Sequence, residues 1–245
     1  MANELSKKTT FTVNSFDNSS ASFKQKKYKI EVGNLTTVLD ALIGIKESID
    51  QSLSFRYSCR MGICGSCAMV IDGKPRLACE TNVFNQDRVQ ISVGPIMAQP
   101  LLKGLVTDFD DFFQKHKEVF PWMIRHNNSE RFDDKKEFHQ TDAQRDYFLP
   151  FAECIKCGLC LDACPVENTN KNFIGPQALS QAYRYIADSK DQGREKRLEY
   201  LDTLDGAWGC EFSGSCSKVC PKSVDPALAI QLLKAEITKH KLTKH

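Results

Sequence analysis

The pattern of apolar and polar positions changes period around residue 100. Before it, the chain reads as strands and turns. Phe11 and Val13 alternate with polar neighbours, as do Tyr28, Ile30 and Val32, which is the signature of half-buried strands. A segment with Val38, Leu39, Leu42 and Ile43 on one face follows Thr36 and Thr37, either of which can cap a helix. Residues 68–71 and 89–93 read as two more strands, and Asp72-Gly73 is a hairpin turn signal. From Leu101 onward, Leu102, Leu105, Val106, Phe109, Phe112 and Phe113 recur every three or four residues. That spacing predicts an amphipathic helix packing the second half of the chain. Residues 125–145 are polar and charged and read as a surface loop. Helices are predicted over 177–186 and 227–240, the second opened by the cap residue Asp225 with Pro226 at its first position.

The candidate chemistry lies in eleven cysteines, all of them inside three spaced groups. Cys59, Cys64, Cys67 and Cys79 have the C-x4-C-x2-C…C spacing of a plant-type [2Fe–2S] site. Cys154, Cys157, Cys160 and Cys164, followed by Pro165, form the C-x2-C-x2-C-x3-C-P run of bacterial multi-cluster ferredoxins. Cys210, Cys216 and Cys220 are followed by Pro221. Disulfides fit poorly, because the cysteine total is odd and the opening residues are polar rather than apolar. Zinc fits poorly too, since closed zinc sites take ligands in fours. The first group lies in a glycine-rich stretch, as expected of a loop that must curl to aim backbone N–H groups at cluster sulfurs.

The third group repeats the second with one change. Cys154, Cys157, Cys160 and Cys164 align with Cys210, Ser213, Cys216 and Cys220, and only Ser213 departs. In two-cluster ferredoxins the fourth cysteine of each run ligates the other cluster. By that rule Cys154, Cys157 and Cys160 share a [4Fe–4S] cluster with Cys220, while Cys210 and Cys216 share the other with Cys164. Three thiolates and a hydroxyl hold a fourth iron poorly, so the expected product is [3Fe–4S]. The alternative is a four-iron cluster with Ser213 bound as an alkoxide.

The bulk properties add exclusions. Lys+Arg number 33 and Asp+Glu 31, which gives no global case for nucleic-acid binding. No apolar run approaches the ~20 residues that cross a bilayer. Cluster thiolates call for a reducing compartment, so the cytoplasmic side is expected. The five histidines (His116, His126, His139, His240 and His245) lie away from the cysteine loops and are expected at the surface.

Together these features resemble the iron–sulfur subunit of succinate dehydrogenase and fumarate reductase, respiratory complex II. The resemblance runs from about Phe11 to Ile237. Its most specific pieces are 58–67, 73–79, 154–160, 172–176 and 216–221. It implies an α+β chain: a β-grasp plant-type [2Fe–2S] ferredoxin domain over 1–106, then an all-α bacterial-ferredoxin-like domain over 107–245. It also implies [2Fe–2S], [4Fe–4S] and [3Fe–4S] clusters and no catalytic residue in this chain. The dicarboxylate chemistry belongs to a FAD-containing flavoprotein subunit near the first domain. The second domain faces a membrane anchor and a quinone, on the cytoplasmic face of the cell membrane. Two positions depart from ubiquinone-using members. No tryptophan follows Cys164-Pro165 within the next few residues, and Glu211 stands where histidine is frequent. Both point to menaquinone or a differently built anchor. The rival reading is an electron-transfer subunit of another flavin-dependent oxidoreductase, such as a thiol-linked fumarate reductase. Those relatives often add cysteine-rich domains, and no cysteine follows Cys220 here.

Overall fold

The computed structural model describes residues 6–84, 89–126 and 137–243. They fall into two compact units. One runs up to Phe109 and takes in Ile155–Ala163; the other holds Asp110–Cys154 and the residues from Cys164 on.

The first unit is built on a hairpin of β1 (Ser6–Asp17) and β2 (Ser22–Gly33), with Phe11 opposite Tyr28. The alternation seen in the sequence sorts these strands: Phe11, Val13, Tyr28 and Val32 are buried between exposed or partly exposed neighbours. β1 also pairs in parallel with β5 (Gln90–Gly94), Val13 opposite Val93. β3 (Ala68–Ile71) and β4 (Lys74–Leu77) complete a five-stranded sheet in the order β2-β1-β5-β3-β4. Asp72 and Gly73 supply left-handed φ values of 49° and 74° at the β3–β4 turn, as a two-residue hairpin requires. Between β2 and β3 lies α1 (Val38–Ser48), which buries Val38, Leu39, Leu42 and Ile45. Thr37 starts it: its hydroxyl accepts from the Asp40 N–H while the Asp40 carboxylate accepts from the Thr37 N–H. A mixed sheet with one helix crossing between its hairpins is the β-grasp arrangement.

The expected helix from Leu101 does not form as one piece. Instead β6 (Leu101–Lys103) and β7 (Val106–Thr107) make a small hairpin, and α2 begins only at Asp110 (Asp110–Glu118). The backbone decides this. Gly104 exchanges two hydrogen bonds with Phe16, and the Leu105 N–H donates to the Ser54 carbonyl. Gly104 sits at φ +63°, where a side chain would fall 2.6 Å from the Ser54 carbonyl oxygen. Strand-type partners therefore override a side-chain spacing that happens to match a helix.

The second unit is helical. Besides α2 it contains α3 (Asp142–Ala152), α5 (Pro165–Thr169), α6 (Pro176–Ile186), α7 (Arg194–Leu201), α8 (Ser215–Lys218) and α9 (Pro226–Thr243); the short α4 (Leu159–Asp162) belongs to the first unit. α3 enters the stretch expected to be loop, because Thr141 and Gln144 form a capping box there; residues 127–136 of that stretch lie outside the described residues. α6 is buried from Pro176 through Tyr183 and packs on α3 and α9. α9 starts as expected, the Asp225 carboxylate accepting from the Leu228 N–H at 2.9 Å. The core joins Leu179, Ala182, Leu198, Leu201, Ile230, Leu233 and Ile237. Against it lies a fully buried ion pair, Arg197–Asp191 at 2.6 Å. Arg197 also donates to the carbonyls of Phe120 and Trp122. That full set of partners is what makes a buried charge tolerable, and it ties the chain after α2 to α7.

Candidate iron–sulfur cluster sites

The loop before β3 gathers the first cysteine group. Cys59 Sγ accepts from the N–H groups of Met61, Ile63 and Cys64 at 3.2–3.5 Å, and Cys64 Sγ accepts from the Cys59 N–H. The Gly62 N–H points at Cys79 Sγ at 3.3 Å, and Cys79 lies 3.3 Å from Cys67 Sγ. Backbone amides thus converge on sulfurs from one curled loop, which stabilises negative charge there. Burial works against ionisation of Cys64, but hydrogen bonds from Ser66 and the Cys59 amide prevail and bring its thiol down to about 6. Cys67 goes the other way. Burial pushes it up to about 12, with a further push from Cys79. Metal binding must displace that proton, so affinity for iron and pH are linked. Four soft donors with amides aimed at them fit a [2Fe–2S] cluster. The same loop abuts the second group: a Cβ on Gly65 would lie 2.9 Å from the Cys157 Cβ.

Of the second group, Cys157 and Cys160 belong to the first unit, and Cys154 and Cys164 to the second. Cys154 Sγ accepts from the buried amide of Gln177 at 3.9 Å, and Gln177 also bonds the His116 ring. Cys154 and Cys220 pack against the helical core.

Three thiols of the second unit lie close enough to sense one another. Burial pushes Cys216 up to about 11, and the neighbouring Cys164 and Cys210 add to it. Burial likewise raises Cys164, opposed by the N–H groups of Glu167 and Val166 in the first turn of α5. The Phe212 N–H donates to Cys210 Sγ at 3.4 Å. The Lys234 ammonium holds the Cys210 carbonyl at 2.8 Å, anchoring this loop to α9. Ser213 is turned to its own loop, its hydroxyl accepting from the Ser215 N–H.

The repeat seen in the sequence is repeated in the backbone. Lys156 and Phe212 both have φ 55°. Gly158 and Gly214 follow with φ/ψ of 80°/−6° and 70°/0°, and each caps a four-residue helix, α4 or α8. Ser213 is therefore flanked by the same backbone conformations that flank Cys157 in the other copy.

Two features escaped the sequence. Gln177 reads there only as the first residue of a helix. Lys115 and Glu167 form a buried ion pair at 3.2 Å, one of whose residues lies three positions after Cys164. Burial raises the Glu167 carboxyl despite the pull of Lys115. The one available signal was a Glu following Cys-Pro, which by itself marks nothing.

Residues 10–114 match the family model described as a 2Fe-2S iron-sulfur cluster binding domain, and residues 150–224 the model described as a 4Fe-4S dicluster domain. The fumarate reductase iron-sulfur subunit of Mycobacterium tuberculosis is 44% identical over 217 residues, 89% of this chain and 87% of that protein. The succinate dehydrogenase iron-sulfur subunit of Paracoccus denitrificans is 40% identical over 200 residues, 80% of this chain and 74% of that protein. A chain of the Mycobacterium smegmatis Sdh1 complex in the apo form superposes with a TM-score of 0.86 over 97% of this chain and 98% of its own; at 23% identity this speaks to the fold.

A β-grasp unit and a helical unit carrying cysteine groups of these spacings define an electron-carrying protein with [2Fe–2S] and [4Fe–4S] domains. The chain belongs to the family of succinate dehydrogenase and fumarate reductase iron–sulfur subunits. It is an electron-transfer subunit of a multi-subunit oxidoreductase of the complex II type. Among the described residues, no helix is long and apolar enough to cross a membrane.

Proposed function

We propose that Cys59, Cys64, Cys67 and Cys79 hold [2Fe–2S], that Cys154, Cys157, Cys160 and Cys220 hold [4Fe–4S], and that Cys164, Cys210 and Cys216 hold [3Fe–4S]. When bound, the clusters supply one-electron transfer between a FAD-containing flavoprotein subunit and a membrane quinone. The protein's part is to hold the thiolates, aim amides at them and limit water. The chain sits on the cytoplasmic face of the membrane through an anchor subunit. The loop that carries the third site exposes Leu204, Trp208 and Phe212, apolar surface suited to such an anchor. Pro165 and Glu211 adjoin ligands of that site and line the quinone approach. Glu211, and the lack of a tryptophan after Cys164-Pro165, favour menaquinone.

The observation that carries the [3Fe–4S] assignment is the matched backbone on either side of Cys157 and Ser213. One copy presents a thiol at that point and the other a hydroxyl, while the other three cysteine positions of the repeat are kept. Ser213→Cys therefore needs no rearrangement of the loop. The variant is expected to take up a fourth iron and to lower the potential of this site. Electron paramagnetic resonance of the oxidised protein should show a three-iron signal in the wild type and its loss in the variant. A wild type without that signal would mean that Ser213 is itself a ligand.

A further inference from the structure

The C-terminal part of α9 meets α7 at a second cluster of metal-binding groups, which contains none of the cysteines. Glu195 and Glu199 are one turn apart on α7 and so share a face. Leu198 and Leu201 turn into the core beside Ile237 of α9, and His240 follows Ile237 by three residues on the same side of that helix. One carboxylate oxygen from each glutamate and a ring nitrogen of His240 all lie within 4.8 Å of one another.

His240 departs from the surface position expected of it. Its side chain is only 15% exposed, and its Nε2 is closed to solvent without a hydrogen-bond partner. The nearest Glu195 oxygen is 3.9 Å away, too far for a hydrogen bond. Two donors bound to one tetrahedral zinc at about 2.0–2.1 Å stand about 3.3 Å apart. The gap is therefore one that an ion closes with small side-chain movements.

We propose that Glu195, Glu199 and His240 form a binding site for a divalent cation of the zinc class, distinct from the cluster sites. Two carboxylates and a neutral imidazole would balance its charge and leave a position for water. An imidazole with two oxygens selects such an ion over calcium or magnesium, which prefer all-oxygen shells. Bound there, the ion would pin the end of α9 to α7.

The test uses the assembled, cluster-loaded complex, so that the cysteines are already occupied. Zn2+ is titrated anaerobically by calorimetry into the wild type, Glu199→Gln and His240→Gln, and the bound zinc is examined by X-ray absorption. Glu199 is exposed, so its variant keeps the fold even if the His240 variant does not, and visible absorption reports the cluster content of each. The expected result is a saturable site with nitrogen and oxygen ligands at about 2.0–2.1 Å, weakened about tenfold or more in each variant. Equal affinity in the wild type and Glu199→Gln, no saturable binding, or zinc–sulfur distances near 2.3 Å would overturn the proposal.

Discussion

Gly65→Ala is expected to cost the first unit much of its stability and its bound iron, whereas Gly73→Ala is not. Both glycines have left-handed φ, +73° and +74°. An alanine at either pays about 1–2 kcal/mol for that backbone. At Gly73 a Cβ meets nothing within 4 Å. At Gly65 it meets the Cys157 Cβ at 2.9 Å, the Cys157 Cα at 3.0 Å and the Ile155 carbonyl at 3.2 Å. Backbone cannot yield as a flexible side chain does, so overpacking adds about 1–3 kcal/mol. The total is a large share of the ~5–15 kcal/mol that holds a domain together. Thermal unfolding and the visible absorption of the purified chain would show it. Equal losses in both variants would mean that the approach of the first loop to Cys157 is unimportant.

Cys216→Ala is expected to bring succinate–quinone turnover to background while leaving reduction of the flavin by succinate intact. Cys216 is buried among the thiols of the third site, and the short α8 presents it. Its loss leaves two thiols, Cys164 and Cys210, too few for any cluster of this kind. Ser217, Cys164 and Cys210, which adjoin it, belong to the second unit, so the flavoprotein end should work normally. Because loss of a metal site can unfold its surroundings, co-purification of all subunits must accompany the assay. An assembled variant with full quinone turnover would place the exit elsewhere.

What was legible in the sequence was what rests on spacing. Cysteine intervals depend on ligand geometry, which is local, and the repeat with its single break at Ser213 appears again as matched φ values at Lys156 and Phe212. The strands around Phe11 and Tyr28 and the caps at Thr37 and Asp225 are also local signals. What failed was set by distant partners. The run from Leu102 to Phe113 has helical spacing, yet Phe16 and Ser54 claim its backbone. Thr141 is the exception: its capping box with Gln144 is a local signal, hidden in a stretch whose polarity reads as loop. Lys115 and Glu167 are separated by more than fifty residues, and no periodicity links them. The same holds for His240 and Glu195, which the packing of α9 on α7 brings together.

The central claim is that all eleven cysteines serve three iron–sulfur clusters of different type. Iron and acid-labile sulfide analysis of the anaerobically purified complex tests it most directly. About nine irons and about ten sulfides per chain are expected. About four irons per chain, or zinc in place of iron, would contradict it.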